Sequence, residues 1–355
     1  MSLLGALRGR LRRLVLGPAP ADGPAYPPES PAVGLTRSHI LWAYRLLLDR
    51  EAGPLDDVDG KLAVVRSTGD LRAAFLASPE YEARNPAGAG FIPPSGRAIA
   101  EIPGDLRLFV DLADRMIGVN ILRGNYELEE IAYARTCVAP GDHVLDIGAN
   151  IGYFTVQMAS WVGATGTVVA FEPVPANLEL LRRSIAENGF EERVRVVPAV
   201  VADAAGEAHM LSADVRHAFN SGGSHIVDAK VPTPRDHQRL QVAQVALDRL
   251  EMPRPVSFIK IDAEGAEALA LRGARELLRA DRPRVLAEIN PALLRSVSGT
   301  TAAEWIAAMA ELGFECRVLK KGRPGKRILA TEELVNVVFL PLRPRSGATL
   351  HSDSA

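Results

Sequence analysis

Val144-Leu145-Asp146-Ile147-Gly148-Ala149-Asn150-Ile151-Gly152-Tyr153-Phe154 packs an apolar strand, an acid at the strand's end and a glycine turn into consecutive residues. His143 to Ile147 reads as a short buried strand of a parallel sheet, and Tyr153 to Trp161 as the start of a helix. The glycines therefore lie on a strand-to-helix turn. In open parallel sheets ligands bind at such carboxyl ends.

The spacing of the turn narrows the ligand. A dinucleotide fingerprint places glycine at the second position of G-x-G, where the backbone must approach a pyrophosphate; here that position is Asn150. Asp146 would repel a phosphate but can accept hydrogen bonds from an ammonium or a hydroxyl. A cationic, phosphate-free adenosine cofactor has this chemistry, and S-adenosylmethionine is one. A second strand, Thr167 to Phe171, ends in Glu172-Pro173, where the acid is placed to hold ribose hydroxyls. Glu172 would serve a nicotinamide dinucleotide equally well, so the choice rests on Asn150 and Asp146.

Strand and helix go on alternating downstream, which predicts a doubly wound α/β sheet. The helix Pro175 to Asn188 leads into a third strand, Val194 to Val200. Pro255 to Ile261 forms the next strand, and Asp262, Glu264 and Glu267 crowd its carboxyl end. Period two puts Phe258, Lys260 and Asp262 on one face. A lysine in an apolar strand requires a carboxylate partner, for which Asp262 is a candidate. Glu267 falls in the first turn of a helix running through Leu269, Gly273 and Leu277, where an acid suits the helix dipole. Later strands are expected at Arg284 to Ile289, with Glu288 near its end, at Phe314 to Leu319 and at Asn336 to Leu340.

Asp146 to Gly152, Phe171 to Pro173, Ile259 to Glu267 and Glu288-Ile289-Asn290 together resemble the FkbM family of S-adenosylmethionine-dependent methyltransferases. Gly124 to Glu127 is similar to that family's Tyr-Glu element, which adds Tyr126 and Glu127 to the cofactor candidates. Ser221 to Ser224 resembles its small-residue loop, and Ala263 departs from its usual valine. The resemblance implies a seven-stranded Rossmann-like methyltransferase sheet with the last strand antiparallel. It also implies O-methylation of a hydroxyl on a sugar, polysaccharide or secondary metabolite. The cofactor candidates are thus Asp146, Gly148, Asn150, Gly152, Phe154, Glu172, Pro173, Tyr126, Glu127 and Asp262.

Methyl transfer from a sulfonium is an in-line displacement, so positioning supplies much of the catalysis. A hydroxyl acceptor still has a proton to lose, which calls for a general base or an acidifying metal. Asp262 and Glu264 are the candidate bases, with Lys260 beside them. His217, His225 and His237 lie in a Gly, Ser and Pro-containing insert from Asp214 to Leu240, and His225, next to Ser221 to Ser224, is the first of these. Asp262, Glu264 and Glu288 carry oxygen ligands of the kind magnesium takes, but no His or Cys cluster has the spacing of a tight metal site.

Upstream, Leu35 to Arg84 reads as a small helical domain (35–86), with Ile40, Leu41, Tyr44, Leu47 and Leu48 on one apolar face and Leu71, Phe75 and Leu76 on another. Ala43 to Glu51 and Phe75 to Tyr81 resemble a small domain recurrent in bacterial glycan-related proteins, which points the acceptor toward glycans. Residues 1–34 are expected to be a basic tail and linker whose leucine-arginine segment, 1–16, has the pattern for weak peripheral membrane contact. Residues 87–104 read as a second linker, 105–342 as the methyltransferase domain and 343–355 as a disordered tail.

The chain has 355 residues, 47% of them hydrophobic, with 41 basic and 43 acidic side chains and a formal net charge of −2. That suffices for one full α/β core plus a small helical unit and gives no general attraction to nucleic acid. Two cysteines, Cys137 and Cys316, suit a reducing cytoplasm. The rival readings are a nicotinamide-dependent sugar oxidoreductase and a non-catalytic interaction protein of glycan assembly.

Overall fold

The computed structural model describes residues 35–48, 52–53, 56–65, 71, 74–75, 78, 80, 96–213 and 220–342. The expected basic tail, the tail after Leu342 and His217 lie outside the described residues. Two compact units divide the chain, residues 1–98 with 111–115 and residues 99–110 with 116–355.

In the first unit, helices Arg37–Leu48 and Val58–Val64 share an apolar cluster of Ile40, Ala43, Tyr44, Leu48, Val58, Leu71 and Phe75. The rings of Tyr44 and Phe75 meet edge to face at 4.8 Å, the arrangement their quadrupoles favour. Asp57 caps the second helix by accepting from the Gly60 amide.

The second unit is built on a mixed sheet. Its strands are β3 (His143–Ile147), β4 (Thr167–Phe171), β5 (Val194–Val197), β10 (Val256–Ile261), β11 (Arg284–Ile289), β12 (Phe314–Lys320), β13 (Arg323–Arg327) and β14 (Val335–Pro341). They lie in the order β13-β12-β14-β11-β10-β3-β4-β5. The run from β11 to β5 is parallel, and β14 is antiparallel to both β11 and β12. The sheet thus has eight strands where seven were expected. The extra one, β13, arises because Lys321 and Gly322 turn the chain back along β12. The central strands carry Val144, Val168, Phe258, Ile259 and Val285 with no exposed surface, as strands covered on both faces require.

Other expectations are corrected. The third strand is broken at Pro198: β5 stays in the main sheet, while β6 (Ala199–Val201) joins a second sheet of order β6-β9-β7-β8. Proline offers no N–H to continue the ladder. β7 (Gly206–Ala213) precedes the region read as an insert, Asp214 to Leu240, whose described residues include β8 (His225–Val227) and the start of β9 (His237–Val245). The helix expected through Leu269, Gly273 and Leu277 is two helices, Glu267–Arg272 and Arg275–Asp281. At the break, a Cβ on Gly273 would stand 2.1 Å from the Ala202 carbonyl oxygen, so the close approach needs glycine. Finally, the end of the segment read as a linker forms β1 (Arg97–Ile102), paired with β2 (Leu106–Asp111).

Candidate functional site

The glycine turn is held by strands on both sides of β3. The Gly148 and Ala149 amides donate to the Phe171 carbonyl at 3.0 and 2.9 Å, and the Asp262 amide donates to the Ile147 carbonyl at 3.0 Å. Gly148 (φ 77°), Asn150 (φ 50°) and Gly152 (φ 95°) are all left-handed. A Cβ on Gly148 would lie 1.8 Å from the Asp262 carbonyl oxygen, so only glycine lets the ends of β3 and β10 meet. Asparagine tolerates this backbone better than other side chains. Its Oδ1 accepts from the Ile151 amide at 2.8 Å and from Ser221 Oγ at 3.2 Å, tying the small-residue loop to the turn.

Glu172 is buried, and its carboxylate is largely engaged by the backbone. Oε2 accepts from the Asn150 amide at 2.8 Å, and Oε1 from the Val174 amide at 2.8 Å and Asn177 Nδ2 at 3.3 Å. Three of roughly four lone-pair directions are thereby used, so Glu172 shapes the turn and keeps one acceptor direction in reserve. Burial pushes its pKa up to about 7 against the opposing pull of those hydrogen bonds. Asp146 is fully buried, accepts from Thr155 Oγ1 at 2.5 Å through Oδ2, and has no partner for Oδ1. Burial raises its pKa as well.

Lys260 is the counter-charge. Register pairs it with Asp146 on β3, and its ammonium lies 3.3 Å from Asp262 Oδ2 and 4.9 Å from the centroid of the Phe154 ring. Burial disfavours the ammonium, but Asp262, Glu127 and Asp146 together outweigh it and hold its pKa above the usual lysine value. Glu127, left-handed at φ 43°, precedes the helix Leu128–Cys137. Burial raises its pKa to about 7 in spite of Lys260, with Asp262 adding to the rise.

These groups line a cavity of about 300 Å³ at the carboxyl edge of the sheet. Of the expected residues, Tyr126, Glu127, Gly148, Asn150, Phe154 and Glu172 line it, as do Pro173, Lys260, Asp262, Glu264 and Glu288. Asp146 and Gly152 do not: Asp146 lies behind the turn against Thr155, and a Cβ on Gly152 would press on Leu181 Cδ1 at 2.6 Å. His225 does not line it either. Its chain neighbours Ser224 and Ile226 do, while His225 Nδ1 lies 3.0 Å from the Gly223 carbonyl. His237 opens β9, 2.9 Å from Asp236, and is likewise outside the lining.

Sequence reasoning missed the apolar wall. Val200 on β6, Met210 on β7 and Ile226 on β8 line the cavity from the second sheet. The alternation through Ala208, Met210 and Ser212 was the available signal.

The lining holds five carboxylates, on Glu127, Glu172, Asp262, Glu264 and Glu288, against the single ammonium of Lys260. Glu264 is the most shifted. Burial first, and then Asp262, Glu288 and Glu267, push its pKa up to about 8. Glu288 rises to about 7 through burial and Asp262. Such a cavity favours a cation and repels phosphate. Among the described residues no group of three or more His, Cys, Asp or Glu stands where it could hold a metal ion, magnesium included. Nor is any helix among them long and apolar enough to cross a membrane.

The AMB antimetabolite synthetase AmbE of Pseudomonas aeruginosa is 26% identical over 270 residues, covering 62% of this chain but 13% of its own length. A protein-L-isoaspartate O-methyltransferase of Caenorhabditis elegans is 38% identical over 63 residues, covering 18% of this chain and 28% of its own. The chain therefore spans well under half the length of these relatives. Among solved structures, a methyltransferase FkbM from Methylobacillus flagellatus KT is 16% identical, covers 64% of this chain and 53% of its own, and has a TM-score of 0.36. A SAM-dependent O-methyltransferase from Thermotoga maritima is 14% identical, covers 72% and 80%, and scores 0.38. The family profile described as methyltransferase FkbM domain matches residues 146–316, the stretch that runs from the strand-end acid through Glu172, Lys260 and Glu264. Residues 146–316 of this chain are therefore similar to the methyltransferase FkbM domain.

Proposed function

We propose that the chain binds S-adenosylmethionine in this cavity and methylates a hydroxyl of a sugar, polysaccharide or secondary metabolite. The observation that carries the reading is the acid content of the lining, five carboxyl groups that a cation would ionise, facing one ammonium beside a D-x-G-x-N-x-G turn. A pyrophosphate would meet those acids unfavourably, which weighs against a dinucleotide. The donor set fits the cofactor: Glu127 and Asp262 would take its ammonium, the remaining lone pair of Glu172 its ribose hydroxyls, and Phe171, Val200 and Met210 its adenine. When bound, the cofactor supplies an electrophilic methyl group on a sulfonium.

The chain's own part is to place the acceptor and take its proton. Asp262 shares its carboxylate with Lys260, whereas among the described residues no hydrogen bond commits Glu264. Burial and the neighbouring acids push the pKa of Glu264 up to about 8, within reach of neutral pH, and its ionised form is the proposed acceptor of the hydroxyl proton. Lys260 positions Asp262 and offsets the charge of its neighbours. The resemblance of the helical segment to a domain of glycan-related proteins supports a glycan acceptor.

Methyl-labelled S-adenosylmethionine incubated with the protein and a panel of oligosaccharides, polysaccharides and polyhydroxylated metabolites tests this. Label transferred in an alkali-stable form is the expected result, since methyl ethers survive base. Alkali-labile label would mark a carboxyl ester and overturn the hydroxyl assignment; no transfer to any acceptor would overturn the reading itself.

A further inference from the structure

The hairpin formed by β12 and β13 concentrates positive charge in a chain whose formal net charge is −2. Lys320, Lys321, Arg323, Lys326 and Arg327 fall within Lys320-Lys321-Gly322-Arg323-Pro324-Gly325-Lys326-Arg327, which has no acid, and all five are exposed. Among the described residues none of the five makes an ion pair. Arg317 beside them is taken by Glu315 at 2.7 Å, and Glu332, the first acid downstream, by Arg295.

The turn is built for display. Lys320 pairs with Arg323, leaving Lys321 (φ 52°) and Gly322 (φ 67°) as a two-residue loop with both central residues left-handed, as in type I′ turns. Such turns favour Asn-Gly or Asp-Gly, and a lysine pays strain at the first position. Here the local rule gives way to charge. The turn is fixed against the protein: a Cβ on Gly322 would meet Ala132 Cβ at 3.1 Å, and the Lys321 amide donates to Glu129 Oε2 at 2.5 Å. Because β12 runs parallel to β11 through their shared antiparallel neighbour β14, the turn lies on the same sheet edge as the cavity.

We propose that this hairpin docks the protein on an anionic lipid surface. Charge complementarity supplies the attraction. Leu329, two residues past Arg327 and 67% exposed, supplies an apolar side chain of the kind that enters the interfacial layer. From Lys320 to Leu334 there is no aromatic ring on which a nucleic acid base could stack, which favours lipid over single-stranded nucleic acid. Basic residues also protect an edge strand from pairing with other chains. That role alone calls for no lysine in a strained turn.

The test is co-sedimentation of the full chain with vesicles of phosphatidylcholine alone, or of phosphatidylcholine and phosphatidylglycerol in equal parts. Wild-type protein is expected to sediment with the anionic vesicles only and to be released by high salt. A variant combining Lys320→Gln, Lys321→Asn, Arg323→Gln, Lys326→Gln and Arg327→Gln is expected to bind on the order of 100-fold more weakly or worse, with unchanged thermal unfolding. Lys321→Asn alone relieves the turn and removes one charge, so it folds at least as well as wild type and is expected to bind roughly fivefold more weakly. The proposal is overturned if wild type ignores anionic vesicles, if it binds both vesicle types equally, or if the neutralised variants bind as well as wild type. Self-association of the neutralised variant with vesicle binding intact would assign the charges to edge protection, and preference for a single-stranded RNA oligonucleotide over vesicles would assign them to nucleic acid.

Discussion

The ammonium of Lys260 lies 3.3 Å from Asp262 Oδ2, on a strand that register places directly beside Asp146. One buried cation thus serves acids on two strands and Glu127 as well. Lys260→Met keeps the length of the side chain and removes the charge. Because it leaves buried carboxylates uncompensated, it is expected to cost about 2–4 kcal/mol, read from the denaturant midpoint of unfolding. A variant as stable as wild type would show that the acids relax or take up protons without penalty.

Gly148→Ala is expected to be the most damaging single substitution in the turn. The added Cβ would meet a carbonyl oxygen at 1.8 Å on a backbone with φ 77°, and neither can yield without separating β3 from β10. Loss of cofactor binding and a stability loss of about 3 kcal/mol or more are expected, measured by calorimetry and thermal unfolding.

Glu264→Gln keeps shape and hydrogen bonding but cannot take a proton. If Glu264 is the base, turnover should fall by about 10²–10⁴-fold while cofactor affinity changes little. Equal losses in both quantities would move Glu264 from proton transfer to cofactor binding.

The acid cluster also fixes the sign of the pH dependence. Burial raises Glu127, Glu172, Glu267 and Glu288 to about 7 and Glu264 to about 8, from an ordinary value of 4.5. Between those limits the folded protein holds protons that the unfolded chain releases, so this contribution is complete below 4.5 and fades as pH rises through about 8. Unliganded protein should therefore unfold at a lower temperature at the alkaline end of this window than at its middle. A cationic ligand favours the ionised carboxylates, so its binding near neutral pH should release protons. Calorimetry in buffers of different ionisation enthalpy measures that release, and a binding heat independent of the buffer would contradict it.

Much of the site was legible because its chemistry is local in sequence. The residues from Asp146 to Gly152 specify a strand end and a turn through their own backbone needs, and Lys260 with Asp262 announces a charged strand end. The side chains' destinations were less legible. Asp146 and Glu172 read equally well as ligand-binding acids, but the fold spends one on Thr155 and most of the other on the amides of Asn150 and Val174. Which amides a carboxylate meets depends on neighbouring strands, which spacing along the chain does not reveal. The second sheet was hidden for a similar reason. Pro198 interrupts what reads as one strand, and β7 to β9 pair only with each other and with β6. The turn at Lys321-Gly322 lacks the Asn-Gly signature that would have marked β13 as a hairpin strand.

Thermal unfolding of the purified chain with S-adenosylhomocysteine, S-adenosylmethionine and NAD in parallel tests the central claim most directly, since it requires no knowledge of the acceptor. At a hundredfold excess over its dissociation constant a ligand of the folded state adds about 2.7 kcal/mol, a rise of roughly 5–10 °C for a domain of this size. The account predicts that rise with both adenosyl ligands and none with NAD. A rise with NAD alone, or with none of the three, would contradict it.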